Sequence, residues 1–353
     1  MYDADGICAT AIMYIGLKEL ARFYDFNIHY IIPLRQDGYG LSNKTVEEAK
    51  EYNSDLIITV DNGIAANKAI EYAKLLDMDV IVTDHHKAII DPISNEQILP
   101  NCLIIDPQID DYPYKFICGA CVAFKFIEKL FEETLNDPQF NSYFIKNTTE
   151  KMNLYLYNQD LYDELISLNA IATIADVMKI TDENRFYVGI GLKKLAHCKN
   201  QGLKILLKSL DLGELNVNSI AYTLGPIINA AGRLETPYIA LNLLLTEDVN
   251  ECIKLTKKLI SLNSQRRKLQ RQAIENIPEN ILKNNFIVIY DATIEKGILG
   301  SIASAIADKY KKPTFVLTGQ DNLTGSGRTA NGYPILTFIQ ESKDLVSGGG
   351  HVL

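Results

Sequence analysis

A chain of 353 residues, 47% hydrophobic and 22% charged, can bury a large core and is long enough for two domains. Its net charge of -9 excludes a generally basic protein that coats nucleic acid, yet permits a local groove, because metal-binding carboxylates count as negative in the sum. No apolar run approaches the roughly 20 residues of a membrane span, the opening Met1-Tyr2-Asp3 is no secretory leader, and the six scattered cysteines read as reduced thiols, so a cytoplasmic address and no membrane contact are expected.

The first acidic motif, Asp3-Ala4-Asp5-Gly6, precedes a run from Ile7 to Tyr24 with helical character. Two carboxylates spaced i, i+2 on a turn can face one point, although such a turn serves equally as a helix N-cap. Ile28 to Ile32 reads as a buried strand and Lys44 to Tyr52 as a helix. Leu56 to Val60 reads as another buried strand, ending in Asp61-Asn62-Gly63. After a helix over Ala65 to Leu76, the strand Val80 to Thr83 runs directly into Asp84-His85-His86, and Leu103 to Ile105 supplies one more strand. This alternation predicts an α/β fold with a mostly parallel sheet flanked by helices, whose ligands belong beyond the carboxyl ends of the strands.

From Ala120 to about Ile174 the pattern turns helical, with a Tyr/Asn-rich excursion from Asn141 to Asn158 that carries no chemistry. Cys118-Gly-Ala-Cys121 has metal-like spacing, but without a second Cys or His pair it reads as small residues opening a helix. The helical run ends in Ile174-Ala175-Asp176-Val177. Asp248 to Asn276 reads as one long connecting helix, whose basic stretch Gln265 to Arg271 is either a solvated face or a track along a phosphate backbone. Past Pro278, strands at Phe286 to Tyr290 and Thr314 to Leu317 flank a helix over Gly300 to Tyr310, which predicts a second, smaller α/β domain.

Three acidic strand ends in one sheet repel each other at close range, so a cation is the natural way to hold them ionised together. Carboxylates with imidazole suit Mn²⁺ or Mg²⁺ better than a structural zinc, which more often takes thiolates. Asp176 could supply a further ligand.

With D-A-D-G, V-D-N-G, T-D-H-H and I-A-D-V in this order, the chain resembles the DHH phosphoesterases. Pro33-Leu-Arg35, Gly38-Tyr39-Gly40-Leu41, Gly225-Pro226-Ile-Ile-Asn229-Ala-Ala-Gly232-Arg233-Leu234, Glu183-Asn184-Arg185, Gly325-Ser326-Gly327-Arg328 and Gly348-Gly349-Gly350-His351 make it similar to the single-strand-specific exonuclease branch of that family. The resemblance implies a DHH catalytic domain over residues 1-246, a connecting helix over 247-277 and a DHH-associated domain over 278-353. Relatives open the first motif with a longer H-x-D-Y-D-A-D-G on a first strand and continue past the last glycine turn, so truncation at both ends is expected.

By position, the resemblance makes Asp3, Asp5, Asp61, His85 and Asp176 metal ligands for two Mn²⁺ or Mg²⁺ ions. It makes Asp61, Asp84 and His86 the catalytic group, with Asp84 orienting and His86 contacting the phosphate or leaving group. A 5′-phosphate pocket falls on Arg35, Arg233, Ser326, Gly327, Arg328 and His351. The implied activity is 5′-to-3′ hydrolysis of single-stranded DNA to 5′-mononucleotides in repair or recombination, with a helicase and a single-strand-binding protein as partners. The alternatives are a DHH phosphodiesterase of short oligonucleotides or cyclic dinucleotides, and a non-catalytic DNA-binding or replication protein of the same fold.

Overall fold

The computed structural model describes residues 1-35, 38-91, 94-109, 111-137, 154-330 and 332-341. His351 and the closing glycine turn lie outside the described residues, as does the Asn141 to Asn153 part of the Tyr/Asn-rich stretch. The framework divides into two units, Met1-Ile260 and Ser261-Leu353.

The first unit contains α1 (Ala4-Leu20), α2 (Asn43-Glu51), β1 (Leu56-Val60), α3 (Asn67-Leu75), β2 (Asp79-Thr83), a small hairpin of β3 (Ile89-Ile90) and β4 (Gln97-Ile98), and β5 (Leu103-Ile105). The helices that follow are α4 (Gly119-Asn136), α5 (Leu154-Tyr157), α6 (Gln159-Ala175), α7 (Asp182-Leu195), α8 (Gln201-Leu210), α9 (Val217-Ser219), α10 (Gly225-Leu234) and α11 (Tyr238-Leu245). The fold is α/β as the alternation predicts. Strands β1, β2 and β5 form a parallel sheet in that order, with Val60 opposite Thr83 and Thr83 opposite Ile105, so their carboxyl ends are level.

Val46 and Ala49 of α2, Ala69, Ile70 and Ala73 of α3, and Val80 and Val82 of β2 pack into one core cluster. On the other side, α1 is buried along Ala4 to Met13, as its apolar residues all round require. Gly16 lets α1 approach α4, since a Cβ there would meet Ile127 at 2.6 Å.

Two strand expectations need correction. Ile28 to Ile32 forms no strand and has no ladder partner among the described residues. Among those residues strand β1 pairs only with β2, and a cavity of about 900 Å³, lined by Ile28, Ile31, Ile57 and Met13 among others, lies along its other side. A strand needs a neighbour about 4.8 Å away to share hydrogen bonds; Ile32 instead donates its N–H to the Tyr238 hydroxyl at 2.9 Å. Second, the strands are not buried along their length. Leu56 is 45% and Leu103 69% exposed, β1 becomes buried only towards Val60, and β5 is exposed at both ends.

Helix α1 also starts and stops earlier than its apolar run suggests. Asp3 caps it by accepting the Gly6 N–H at 3.1 Å, and residues 21-24 leave the helix in turns.

The boundary between units falls within α12 (Val249-Glu275), the long helix expected from its uninterrupted pattern. The second unit continues with α13 (Glu279-Lys283), β6 (Ile287-Tyr290), α14 (Leu299-Tyr310), β7 (Thr314-Thr318), β8 (Thr324-Arg328) and α15 (Ile335-Glu341). Strand β6 pairs with β7 in parallel and β8 with β7 antiparallel. Strand β8 is the Gly325-Ser326-Gly327-Arg328 motif itself, which its glycines disguise. Those glycines admit the side chains of the neighbouring strand: a Cβ at Gly327 would meet Phe315 at 2.8 Å. Among the described residues no helix is long and apolar enough to cross a membrane.

Candidate metal centre

Two of the three parallel strands, β1 and β2, hand their last hydrogen bond to an acidic residue. The Asp61 N–H donates to Thr83 O at 3.0 Å and the Asp84 N–H to Ile105 O at 3.1 Å, so the ladder fixes the backbone under both carboxylates. Asp61 then turns out of β1 at φ 59°, a left-handed conformation that costs a non-glycine residue on the order of 1 kcal/mol. Its turn is held by Asn62, which donates to Val60 O at 2.8 Å and accepts from Leu41 N at 3.0 Å.

Asp5 reaches the same point from the first turn of α1. Its two carboxylate oxygens accept the N–H groups of Gly119 and Ala120 at 2.7 and 2.8 Å, a carboxylate seated on the N-terminus of α4. Gly119 is required there, because a Cβ would lie 2.4 Å from that of Asp61. Gly119→Ala is therefore expected to cost about 1–3 kcal/mol of stability and to weaken Mn²⁺ binding, as thermal denaturation and calorimetry would register. Unchanged values for both would remove this close contact from the site.

His85 sits among the acids. Its Nε2 lies 3.1 Å from Asp61 Oδ1, 3.6 Å from Asp5 Oδ2 and 3.9 Å from Asp176 Oδ2. Asp176 arrives as the C-cap of α6, and Val177 beyond it is held at φ +57°, a strained conformation for a β-branched residue. Two ligand sets result, Asp5 with His85 and Asp176, and Asp61 with His85 and His86. The structure thus brings Asp5, Asp61, His85 and Asp176 together. Asp3 lies in neither set and serves α1 as its cap, although its charge is felt at Asp61.

Burial, then the carboxylates of Asp5 and Asp3, push Asp61 well above the usual carboxylate range. Burial, then Asp5, push Asp176 up to about 8. Its Oδ2 is buried without a hydrogen-bond partner. Burial opposes the charging of His85, but Asp5 and Asp176 outweigh it and hold the imidazole above its ordinary value. This donor set fits a hard divalent cation: oxygen-rich, with one imidazole, a lone buried oxygen, and acids that resist ionisation until a positive charge joins them.

Asp84 stands behind the centre. Burial opposes its ionisation, but the hydrogen bond and charge of His86 and the N–H groups of Ile64 and His85 hold its carboxyl below the usual range. Its Oδ1 accepts from His86 Nδ1 at 2.7 Å and its Oδ2 from the Ile64 N–H at 3.0 Å. Sequence reasoning missed Asp106, which follows β5 as Asp61 follows β1. It is 2% exposed with Oδ2 unpartnered, and burial pushes it up to about 6. The shared strand-end pattern was the available signal.

In the first unit, the Arg35 side chain stacks over Tyr2 at 4.3 Å and donates at 3.2 Å to the carbonyl of Gly232, the residue before the half-buried Arg233. Gly232 packs under Tyr2, since a Cβ would meet the Tyr2 carbonyl at 2.1 Å. In the second unit, Arg328 donates to Ser326 Oγ at 3.1 Å and to the Gly327 carbonyl at 2.7 Å, both on β8. All six cysteines are free; Cys118 caps α4 and neither it nor Cys121 joins a ligand set among the described residues.

Residues 1-156, which contain the D-A-D-G, D-N-G and D-H-H motifs, match the family model described as "DHH family, N-terminal domain". The chain is 33% identical to the single-stranded-DNA-specific exonuclease RecJ of Bacillus subtilis, over 99% of this chain and 42% of that protein. It is 30% identical to RecJ of Escherichia coli, over 100% of this chain and 61% of that one. It spans about half the length of these relatives. The fold is similar to RecJ of Thermus thermophilus in complex with Mn²⁺, with TM-score 0.80 and 29% identity over 99% of this chain and 47% of that one. It is also similar to an exonuclease RecJ bound to manganese, with TM-score 0.78 and 30% identity over 98% of this chain and 80% of that one. With its acidic strand ends inside the matched region and its likeness to RecJ reaching from end to end, this chain belongs to the DHH family.

Proposed function

We propose that the chain is a metal-dependent exonuclease that hydrolyses single-stranded DNA from the 5′ end to 5′-mononucleotides. The observation that carries this reading is the seat of His85 Nε2, 3.1 to 3.9 Å from carboxylates contributed by α1, β1 and α6. The likeness to RecJ structures with Mn²⁺ and with Mg²⁺ supports the same choice of cation. Asp5, Asp61, His85 and Asp176 would hold two Mn²⁺ or Mg²⁺ ions, with Asp3 joining from the adjacent turn. Such ions, when bound, neutralise charge at phosphorus and acidify water.

The chain's own residues supply the rest. The Gly119 and Ala120 N–H groups keep Asp5 in place, and the β-ladder keeps Asp61 in place, so the carboxylates need little reorganisation. Asp84 accepts a hydrogen bond from His86 Nδ1 and so orients the imidazole that this reading sets beside a phosphoryl or leaving oxygen. Arg35 and Arg233 in the first unit, and Ser326, Gly327 and Arg328 in the second, would bind the 5′-phosphate through planar guanidinium donors and glycine-exposed N–H groups. Residues 1-246 would form the catalytic domain, 247-277 the connecting helix and 278-353 the DHH-associated domain. A cytoplasmic role in repair or recombination, beside a helicase and a single-strand-binding protein, completes the reading.

The test is release of mononucleotides from 5′-phosphorylated, 3′-labelled single-stranded DNA with Mn²⁺, against the same DNA as a blunt duplex. Stepwise loss from the single strand alone is expected. Cleavage that gains nothing from longer strands would replace the reading with a short-oligonucleotide or cyclic-dinucleotide phosphodiesterase, and DNA binding without cleavage would replace it with a non-catalytic relative. Arg35→Gln is expected to raise KM for 5′-phosphorylated DNA by about tenfold, the scale of one charged hydrogen bond, and to leave 5′-hydroxyl DNA unaffected; equal effects on both ends would remove Arg35 from the pocket.

A further inference from the structure

Tyr39 has no role in the site as described so far, yet its hydroxyl lies 3.0 Å from His86 Nε2. The opposite ring nitrogen is bound at 2.7 Å by Asp84, whose Oδ1 also accepts the N–H groups of His85 and His86. With that carboxylate claiming the Nδ1 proton, Nε2 of the neutral ring is an acceptor, and the Tyr39 hydroxyl donates to it. The imidazole is thus held at both nitrogens, which blocks rotation of the ring.

Tyr39 is itself positioned. Its ring meets His86 edge-on at 6.0 Å and Tyr2 edge-on at 6.3 Å, and Tyr2 lies under Arg35. Gly38 and Gly40 flank it at φ +102° and +74°, conformations open to glycine. The loop is tied down immediately afterwards, where Leu41 N donates to Asn62 beside Asp61. A 57% exposed aromatic residue mounted this way is not a core residue.

We propose that Tyr39 is a positioning residue of the phosphodiester cleavage, acting through His86: its hydroxyl fixes the imidazole in the tautomer and orientation that Asp84 selects. A contiguous path of contacts then runs from Asp84 through His86, Tyr39 and Tyr2 to Arg35, linking the metal centre to that guanidinium. This inference rests on the exonuclease reading above.

Tyr39→Phe keeps the ring contacts and removes only the hydroxyl. It is expected to lower kcat on 5′-phosphorylated single-stranded DNA by about tenfold, as loss of an orienting hydrogen bond does, and to change KM by less than about twofold. In a His86→Ala background the same substitution should change nothing further, because the hydroxyl has lost the group it acts through. A second measurement needs no turnover: with ¹⁵N-labelled histidine, the His86 Nε2 resonance, assigned by its loss in His86→Gln, should shift in Tyr39→Phe. An unshifted resonance, a wild-type kcat, or an equal tenfold loss in the His86→Ala background would each overturn the proposal. A parent chain that cleaves no DNA would sink the exonuclease reading, while the resonance would still decide whether Tyr39 holds His86.

Discussion

Asp61→Asn is expected to reduce Mn²⁺-dependent cleavage of single-stranded DNA by about 10³-fold or more, the loss seen when one preorganised electrostatic contact is removed. Asp61 forms one of the two ligand sets with His85 and His86, its Oδ1 3.1 Å from His85 Nε2 and 4.0 Å from His86 Nδ1. The variant should fold. Asparagine tolerates the left-handed conformation at φ 59° as well as aspartate does, and it matches the side chain that Gly119 packs against. In chelator at neutral pH its Tm should equal or exceed that of the parent, because the substitution removes a carboxyl that burial and the Asp5 and Asp3 charges make costly to ionise. Cleavage at the parental rate in a folded Asp61→Asn chain would remove Asp61 from the site.

Removal of metal is expected to make the chain's stability fall as pH rises. Asp176 has its carboxyl raised to about 8 and Asp61 is raised well above the usual range, both by burial first and neighbouring carboxylates next. In the unfolded chain both titrate at about 3.9. Between these values the metal-free fold keeps protons that the unfolded chain has shed. The stability from protonated Asp176 is therefore complete below about pH 4 and is lost as pH climbs through about 8. The Asp176 side chain is 31% exposed, so solvent moderates the effect. A divalent ion reverses the trend, because it binds the ionised carboxylates and competes with protons. At a hundred times its dissociation constant it adds about 2.7 kcal/mol. The Tm gained on replacing chelator with Mn²⁺ should therefore be larger at pH 8 than at pH 6. Identical melting curves with and without Mn²⁺ at both pH values would mean that these residues hold no ion.

The strands that carry the centre were legible because their information is local. Leu56 to Val60 and Leu103 to Ile105 are short apolar runs stopped by an acid, and the observed strands have the same limits. An uninterrupted helical pattern likewise marked Val249-Glu275 to within a residue at each end. Where strand formation depends on a neighbour, local pattern failed. Ile28 to Ile32 has the composition of a strand but no hydrogen-bonding partner among the described residues, whereas Thr324-Arg328 has two glycines and is a strand because β7 supplies its partner. The same division runs through the site. That Asp61, Asp84 and His85 stand at strand ends followed from the residues; that Asp3 caps a helix while Asp5 binds the N-terminus of α4 required the fold.

By itself, the sequence determined the α/β class, the carboxylate and imidazole chemistry and the motifs that place the chain in its family, since apolar periodicity and residue type act over a few neighbouring positions. Only the tertiary structure decided that Asp176 meets Asp5 and His85 and that Asp106 joins the buried acids. It alone placed the Tyr39 hydroxyl on His86, 47 positions further along the chain. Asp5 and Asp176 are separated by most of the first unit, and a meeting of such distant residues at 3 to 4 Å from one imidazole is set by packing and ladder register.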